Sequence, residues 1–197
     1  MTLTKHSWDD YYKAVTRRPH DPMTEIAIAK NRSGSNVAVD AGCGAGTEAE
    51  FLAKVGYDVY AFDPEDGAIE LCRRRFLANK NVKVFRDSFE TFTYPKNGLF
   101  IAKSSLFFCD PKQFERVWSS IEQSIEPGGV FFGQLLGGDD SWQNTHVRHI
   151  SKFSKQQALA KLSAFDLLEF KEVHQDGKTA VGTEKFWHVF TFLAIKR

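Results

Sequence analysis

Asn36-Val37-Ala38-Val39-Asp40-Ala41-Gly42-Cys43-Gly44-Ala45-Gly46 is the stretch on which the fold turns. Its first half is a short apolar run ending in an acid, and its second half has glycine at every other position. An apolar run of this length, stopped by a glycine cluster, reads as a buried parallel strand feeding a tight turn. Beyond it Thr47 and Glu50 stand in capping-box spacing, and Leu52 and Val55 supply the inner face of a helix that Gly56 stops.

The same alternation continues outward. Residues 57–62 read as a second strand, and Asp63-Pro64 opens a second helix that buries Ile69, Cys72 and Phe76. Residues 82–86 form a third strand, with Asp87 and Glu90 in N-cap spacing after it, and residues 99–103 a fourth. Phe114, Val117, Trp118, Ile121 and Ile125 recur at helical spacing, and Pro127-Gly128-Gly129 ends that helix before a fifth strand over 130–136. Ser154 and Gln157 cap a further helix through Ala164, and residues 167–173 and 186–195 make two final strands joined by a polar loop at Asp176-Gly177. Strands alternating with helices predict an α/β doubly wound sheet covered on both faces. With no helix between them, the last two strands pair as an antiparallel hairpin, so the expectation is a seven-stranded, mostly parallel sheet with a C-terminal antiparallel hairpin.

Composition narrows the function. The 197 residues carry 26 basic and 25 acidic side chains, a net charge of +1, which gives no electrostatic case for nucleic acid or an anionic membrane as partner. Hydrophobic residues at 42% and charged residues at 26% argue for a single globular domain and against disorder. Phe is over-used, at 18 against 4 Trp and 5 Tyr. No signal-peptide pattern is visible in residues 1–12, and the longest apolar runs, near 130–136 and 189–195, fall short of a membrane span, so a cytoplasmic protein is expected. Cys43, Cys72 and Cys109 are odd in number and widely spaced, which fits a reducing compartment and no structural zinc.

In a doubly wound sheet the ligand sits beyond the carboxyl ends of the strands. That edge here carries the pattern D-x-G-x-G-x-G, whose glycines let backbone approach a ligand while the helix starting near Thr47 aims its amides at an anion. The dinucleotide fingerprint G-x-G-x-x-G needs glycine where Thr47 stands, which disfavours a nicotinamide cofactor and an oxidoreductase. Asp63, ending the second strand, is placed to accept hydrogen bonds from a ribose diol, and Asp87, ending the third, to meet an adenine amino group. Each is also a good helix N-cap. Three acids at three successive strand ends around one glycine loop point jointly to a nucleoside-containing ligand.

Residues 37–46, Tyr60-Ala-Phe-Asp63-Pro64 and Arg86-Asp87-Ser88-Phe89 resemble the class I S-adenosylmethionine-dependent methyltransferases, over nearly the whole chain. The resemblance implies a Rossmann-like fold, S-adenosyl-L-methionine as cofactor and S-adenosyl-L-homocysteine as product. Carried over, Asp40, Gly42, Cys43, Gly44 and Gly46 serve the methionyl end, Asp63 and Pro64 the ribose and adenine, and Asp87, Ser88 and Phe89 the base. Lys103 and Ser104 fall where the family faces the transferable methyl group; Asp or Asn is frequent there, so Lys103 is a departure. Within the class, Trp8-Asp-Asp-Tyr11-Tyr12 with Arg17-Arg18-Pro19, Leu106-Phe-Phe108, residues 133–142 and residues 185–190 resemble small bacterial enzymes of the tellurite-resistance and thiopurine methyltransferase type. That narrower resemblance makes residues 1–35 a helical lid before a methyltransferase domain at 36–197, with Tyr12 and Arg17 near the methionyl carboxylate.

Trp8, Tyr11, Phe107, Trp142, His146 and His188 are the candidates for the acceptor pocket, with His149 in the same loop as His146. No metal ligand set is expected from His146 and His149, which lack paired cysteines or converging acids. Arg73-Arg74-Arg75 reads as a solvated helix face. No side chain is marked as a general base, which suits an acceptor that is already anionic or soft. The expected activity is methyl transfer to a small molecule by a monomer or homodimer. The alternatives are a cofactor-binding module without turnover and a methyltransferase of protein or nucleic acid.

Overall fold

The structure is a computed structural model, and it describes residues 10–12, 14–142 and 149–197. Trp8 and His146 lie outside the described residues. Residues 10–12 and 14–15 are helical, and helix α1 (Pro22–Lys30) follows, with Asp21 at its N-cap accepting the Met23 amide at 3.0 Å. Then come β1 (Val37–Ala41), α2 (Thr47–Lys54), β2 (Asp58–Asp63), α3 (Asp66–Arg75), β3 (Val82–Arg86), β4 (Asn97–Ala102) and a 3-10 turn at Leu106–Phe108. Helix α4 (Phe114–Ser124), β5 (Ile125–Gly137), β6 (Lys152–Phe153), α5 (Lys155–Lys161), a 3-10 turn at Leu162–Ala164, β7 (Phe165–Lys178) and β8 (Glu184–Lys196) complete the chain.

The sheet order is β3-β2-β1-β4-β5-β8-β7, parallel from β3 to β5 and antiparallel at β8 and β7. Strand order reverses between β1 and β4, which sets the ligand crevice at their carboxyl ends. The expected seven strands are present, and an eighth, the two-residue β6, adds to β5 beyond the end of β4.

Apolar cores form on both faces. One face stacks Phe62 on Phe92 at 4.3 Å and Phe131 against Phe100 and Phe192 at 5.1 and 4.9 Å, covered by Phe114, Val117, Trp118 and Ile121 of α4. The other packs Ala49 and Leu52 of α2, Cys72 of α3 and Ala27 of α1 over Val59, Leu99, Ile101 and Phe132. Most of the Phe excess is therefore core, each buried ring contributing about 1.5–3 kcal/mol over exposure. None of the helices among the described residues is long and apolar enough to cross a membrane.

Five local expectations are corrected. Helix α2 has no Thr47 capping box: its N-cap is Gly46 at φ +77°, and the missing acceptor comes from β1, where Asp40 Oδ2 takes the Ala49 amide at 3.1 Å. Helix α3 begins at Asp66 and not at Pro64, because Asp63 turns its carboxylate to the Glu65 amide at 2.9 Å and to a distant loop. Residues after β3 form a turn and not a helix, with Asp87 accepting the Ser88 amide at 2.9 Å and the Thr91 hydroxyl. Strand β5 starts at Ile125, so Pro127-Gly128-Gly129 lies inside it, beside an irregularity in β4 between Asn97 and Leu99. In the hairpin, Asp176 and Gly177 are paired with Phe186 and Lys185, and the turn falls later, between Lys178 and Glu184.

Candidate active site

The loop after β1 folds back on β2. Gly42 and Cys43 donate their amides to Phe62 O at 2.8 and 2.9 Å, and Gly44 donates to Asp63 Oδ2 at 3.0 Å. Gly42 sits at φ +71° with room for no side chain: a Cβ there would lie 2.3 Å from Ser105 Cβ. Ser105 in turn donates its hydroxyl to Ala41 O at 2.6 Å, locking the end of β1 to the segment after β4. Asp63 thus holds two backbone amides, Gly44 on one oxygen and Glu65 on the other, which fixes the plane of its carboxylate.

Around this loop lies a cavity of about 320 Å³. Of the residues singled out from sequence, Tyr11, Tyr12, Gly42, Gly44, Asp63, Pro64, Ser88, Phe89, Lys103 and His149 line it. Asp40, Cys43 and Gly46 sit beneath the loop as buried support, with Cys43 Sγ 3.8 Å from Cys72 Sγ. Asp87, spent on its own turn, and Arg17, exposed, are outside the lining. Phe107 is buried with Leu136, Ile150 and Val189, and the adjacent Phe108 lines the cavity in its place. Trp142 packs behind that wall, 5.6 Å from Phe108 and from Trp187, while His188 lies off the cavity.

Glu65, Glu90, Ser104 and Ser105 complete the lining. Glu65 and Glu90 carry no sequence signal beyond standing near strand ends. Burial opposes ionisation of Glu90, and the Asp110 amide it accepts at 2.7 Å, together with Ser88 and other hydrogen bonds, outweighs that, leaving its carboxyl below the usual range.

Electrostatics at the rim are set by a network no motif announces. Lys103 Nζ is 2.9 Å from Asp21 Oδ2 and 3.7 Å from Glu48 Oε1, and Glu48 also accepts the Asp21 amide at 3.0 Å and the Thr24 hydroxyl at 2.6 Å. The ammonium thereby joins the end of β4 to the first turns of α1 and α2. Burial works against the Asp21 carboxylate, and the Met23 amide and Lys103 override it, so its pKa is lowered. Burial raises Tyr12 far above the ordinary phenol, with Asp63 adding to it, so Tyr12 is a neutral hydroxyl. Asp40 is pushed up to about 8, first by burial and then by the neighbouring Glu48.

Ser104 is the only non-glycine with positive φ, at +54°, among the described residues. Its amide and hydroxyl both donate to Gln134 Oε1, at 3.0 and 2.9 Å, and Gln134 Nε2 donates to Thr191 Oγ1 on β8 at 2.9 Å. A left-handed serine costs about 1–2 kcal/mol, and these bonds hold it. One further cluster lies apart from the cavity: Asp139, His174 and His188 bring their side chains together where β5, β7 and β8 meet. The sequence hides it, since its members are far apart in the chain.

Comparison with known proteins bears on the fold that carries this site. Residues 38–129 match the family model of a methyltransferase domain. No curated protein sequence matches significantly. Among solved structures, TehB from Haemophilus influenzae is similar at TM-score 0.75 and 17% identity, over 96% of this chain and 67% of that one. The Burkholderia thailandensis 1,6-didemethyltoxoflavin-N1-methyltransferase, with bound 1,6-didemethyltoxoflavin and S-adenosylhomocysteine, is similar at TM-score 0.70 and 18% identity, over 98% of this chain and 83% of that one. The N-methyltransferase NodS from Bradyrhizobium japonicum, in complex with S-adenosylhomocysteine, is similar at TM-score 0.67 and 14% identity, over 99% of each chain. Residues 38–129 are thus similar to a methyltransferase domain, and they lie within a Rossmann-like sheet order that the solved structures share.

Proposed function

We propose that the chain methylates a small-molecule acceptor enclosed between the glycine loop and the N-terminal helical residues. The observation that carries this is the single cavity onto which Tyr11, Tyr12, Gly44, Asp63, Ser88 and Phe89 converge. S-adenosylmethionine, when bound, supplies a methyl group already activated by its sulfonium. Gly42 and Gly44 present backbone to the methionyl part, with Asp40 and Gly46 holding the loop from below. Asp63, its plane fixed by two amides, accepts the ribose hydroxyls, Pro64 packs on the adenine, and Ser88 and Phe89 border the base.

Asp87 acts one step back, fixing the turn that presents Ser88 and Phe89. Lys103 contributes its backbone to the methyl-facing position, since its side chain is turned to Asp21 and Glu48. Tyr11 and Tyr12 close the cavity from the N-terminal side, and the Arg75 guanidinium, donating to Thr16 O at 2.8 Å, holds that segment against α3. Phe108 and His149 border the acceptor space, with Trp142 buttressing Phe108.

Alignment of acceptor, carbon and sulfur with exclusion of water accounts for the catalysis, an effect that reaches about 7–11 kcal/mol. His149 brings an imidazole to the lining, while an anionic or soft acceptor would need no general base. Support for a small acceptor comes from the size of the cavity and from the toxoflavin-type relative, which is crystallised with one. The test is calorimetry with S-adenosylmethionine followed by a labelled-methyl screen of metabolites, proteins and nucleic acids. Saturable binding with label in small molecules supports the proposal; label in macromolecules alone overturns the acceptor class, and no label in any fraction reduces the chain to a cofactor-binding module.

A further inference from the structure

We propose that Asp139, His174 and His188 form a binding site for a divalent first-row transition-metal ion of the zinc type, built where the C-terminal hairpin meets the end of β5. The ligand atoms all lie within 4.8 Å of one another, with Asp139 Oδ2 3.0 Å from His174 Nε2 and 3.6 Å from His188 Nδ1. Metal bonds of 2.0–2.2 Å in tetrahedral array separate ligand atoms by about 3.3–3.6 Å; one measured separation lies at the top of that range and the other about 0.3 Å below the range. Two imidazoles and one carboxylate are the donor set that zinc and its neighbours prefer to magnesium or calcium.

The fold builds the site deliberately. His174 and His188 are directly opposed across the β7–β8 ladder, so hairpin register alone brings their rings to 4.4 Å between centroids. Gly137, ending β5, makes space for the His188 ring: a Cβ there would lie 2.2 Å from it. His188 is also oriented from behind. Its Nε2 meets Glu172 Oε1 at 3.2 Å, and Glu172 is held by Lys155 Nζ at 2.8 Å through its other oxygen. A carboxylate on the far nitrogen is the outer-shell arrangement of metal-binding histidines, fixing the tautomer that leaves the near nitrogen as donor. That near nitrogen, Nδ1, is unprotonated, since it accepts the Asp139 amide at 3.2 Å, a long bond that an ion would displace.

Asp139 and His174 are half-exposed or more, giving an ion an entry path and leaving a fourth position for water. Occupancy would pin the turn after β5 to both hairpin strands. From that turn Trp142 reaches Phe108 of the cavity wall, so the ion lies one layer of aromatic packing from the proposed acceptor space. The site does not depend on the methyl-transfer assignment.

The experiment uses the full chain stripped with a chelator and titrated calorimetrically with zinc chloride, with cobalt chloride as a spectroscopic probe. One saturable equivalent is expected, with visible cobalt absorption showing nitrogen and oxygen ligation and no thiolate charge-transfer band. His174→Ala and Asp139→Ala, both on the surface, should each weaken binding by tenfold or more with the circular dichroism spectrum unchanged. Glu172→Gln should weaken it by about 10- to 100-fold through His188. Absence of saturable binding in the unsubstituted chain, a thiolate band, or unchanged affinity in both surface variants would overturn the proposal.

Discussion

Asp63 Oδ2 accepts the Gly44 amide at 3.0 Å, so the acid ending β2 is a structural clamp on the glycine loop as well as the proposed ribose ligand. Asp63→Ala removes both contacts. Hydrogen bonds to a charged group are worth about 1.5–3 kcal/mol each, so S-adenosylmethionine affinity should fall by more than tenfold with a lowered melting temperature. Asp63→Asn, which keeps an acceptor for Gly44, should recover stability more than affinity. Calorimetry and thermal melts on the two variants separate the roles.

Gly42 and Gly44 share a left-handed backbone but not the same surroundings. At Gly44 a Cβ would meet only Tyr12, at an ordinary 3.7 Å, so Gly44→Ala should cost about 1–2 kcal/mol from φ alone. At Gly42 the Ser105 contact of 2.3 Å adds a clash with a side chain tied to Ala41, so Gly42→Ala should be clearly the more destabilising in urea denaturation.

Lys103→Met tests the ion network at the rim. The pairs are partly exposed, between the small value of surface bridges and the large cost of breaking buried ones, so a loss of about 1–3 kcal/mol in stability is expected. Turnover per folded molecule should be largely kept, because the side chain faces Asp21 and Glu48. A loss of kcat by orders of magnitude at unchanged stability would assign the ammonium to the chemistry.

Asp40 gives the fold a pH dependence of defined sign. Its carboxyl titrates near 3.8 when unfolded and near 8 in the folded chain, so folding takes up a proton between those values. Stability from this group is complete below about pH 4, falls by at most about 1.4 kcal/mol per pH unit up to about pH 8, and is flat above. Asp40→Asn should flatten that slope in urea titrations run from pH 5 to 8. An unchanged slope would show that burial does not hold Asp40 protonated.

What the sequence disclosed follows from the range of the forces involved. Strands β1 to β5 and helix α4 are set by local periodicity, and the glycine loop by backbone conformations that few residues allow. Asp40 was legible as an acid at a strand end, but its use as the remote cap of α2 was not, because local capping rules look only to neighbours such as Thr47 and Glu50. Pro64 misplaces the start of α3 for the same reason: Asp63 is engaged across the sheet by Gly44 and is not available as a cap. Partners of Lys103 lie in two helices far apart in sequence, and the His174–His188 pair depends on a hairpin register that turn chemistry near Asp176-Gly177 assigned incorrectly.

Gln134 receives both donors of Ser104 and passes its own amide to Thr191. The terminal hairpin is thereby a tension element for the crevice floor: a one-residue slip of β8 against β5 would turn Thr191 to the opposite face, free Gln134 and let Ser104 relax out of its left-handed conformation. Substitutions at the far end of the chain therefore have a route, through Gln134 and Ser104, to the geometry at the methyl-facing backbone without altering any residue that lines the cavity.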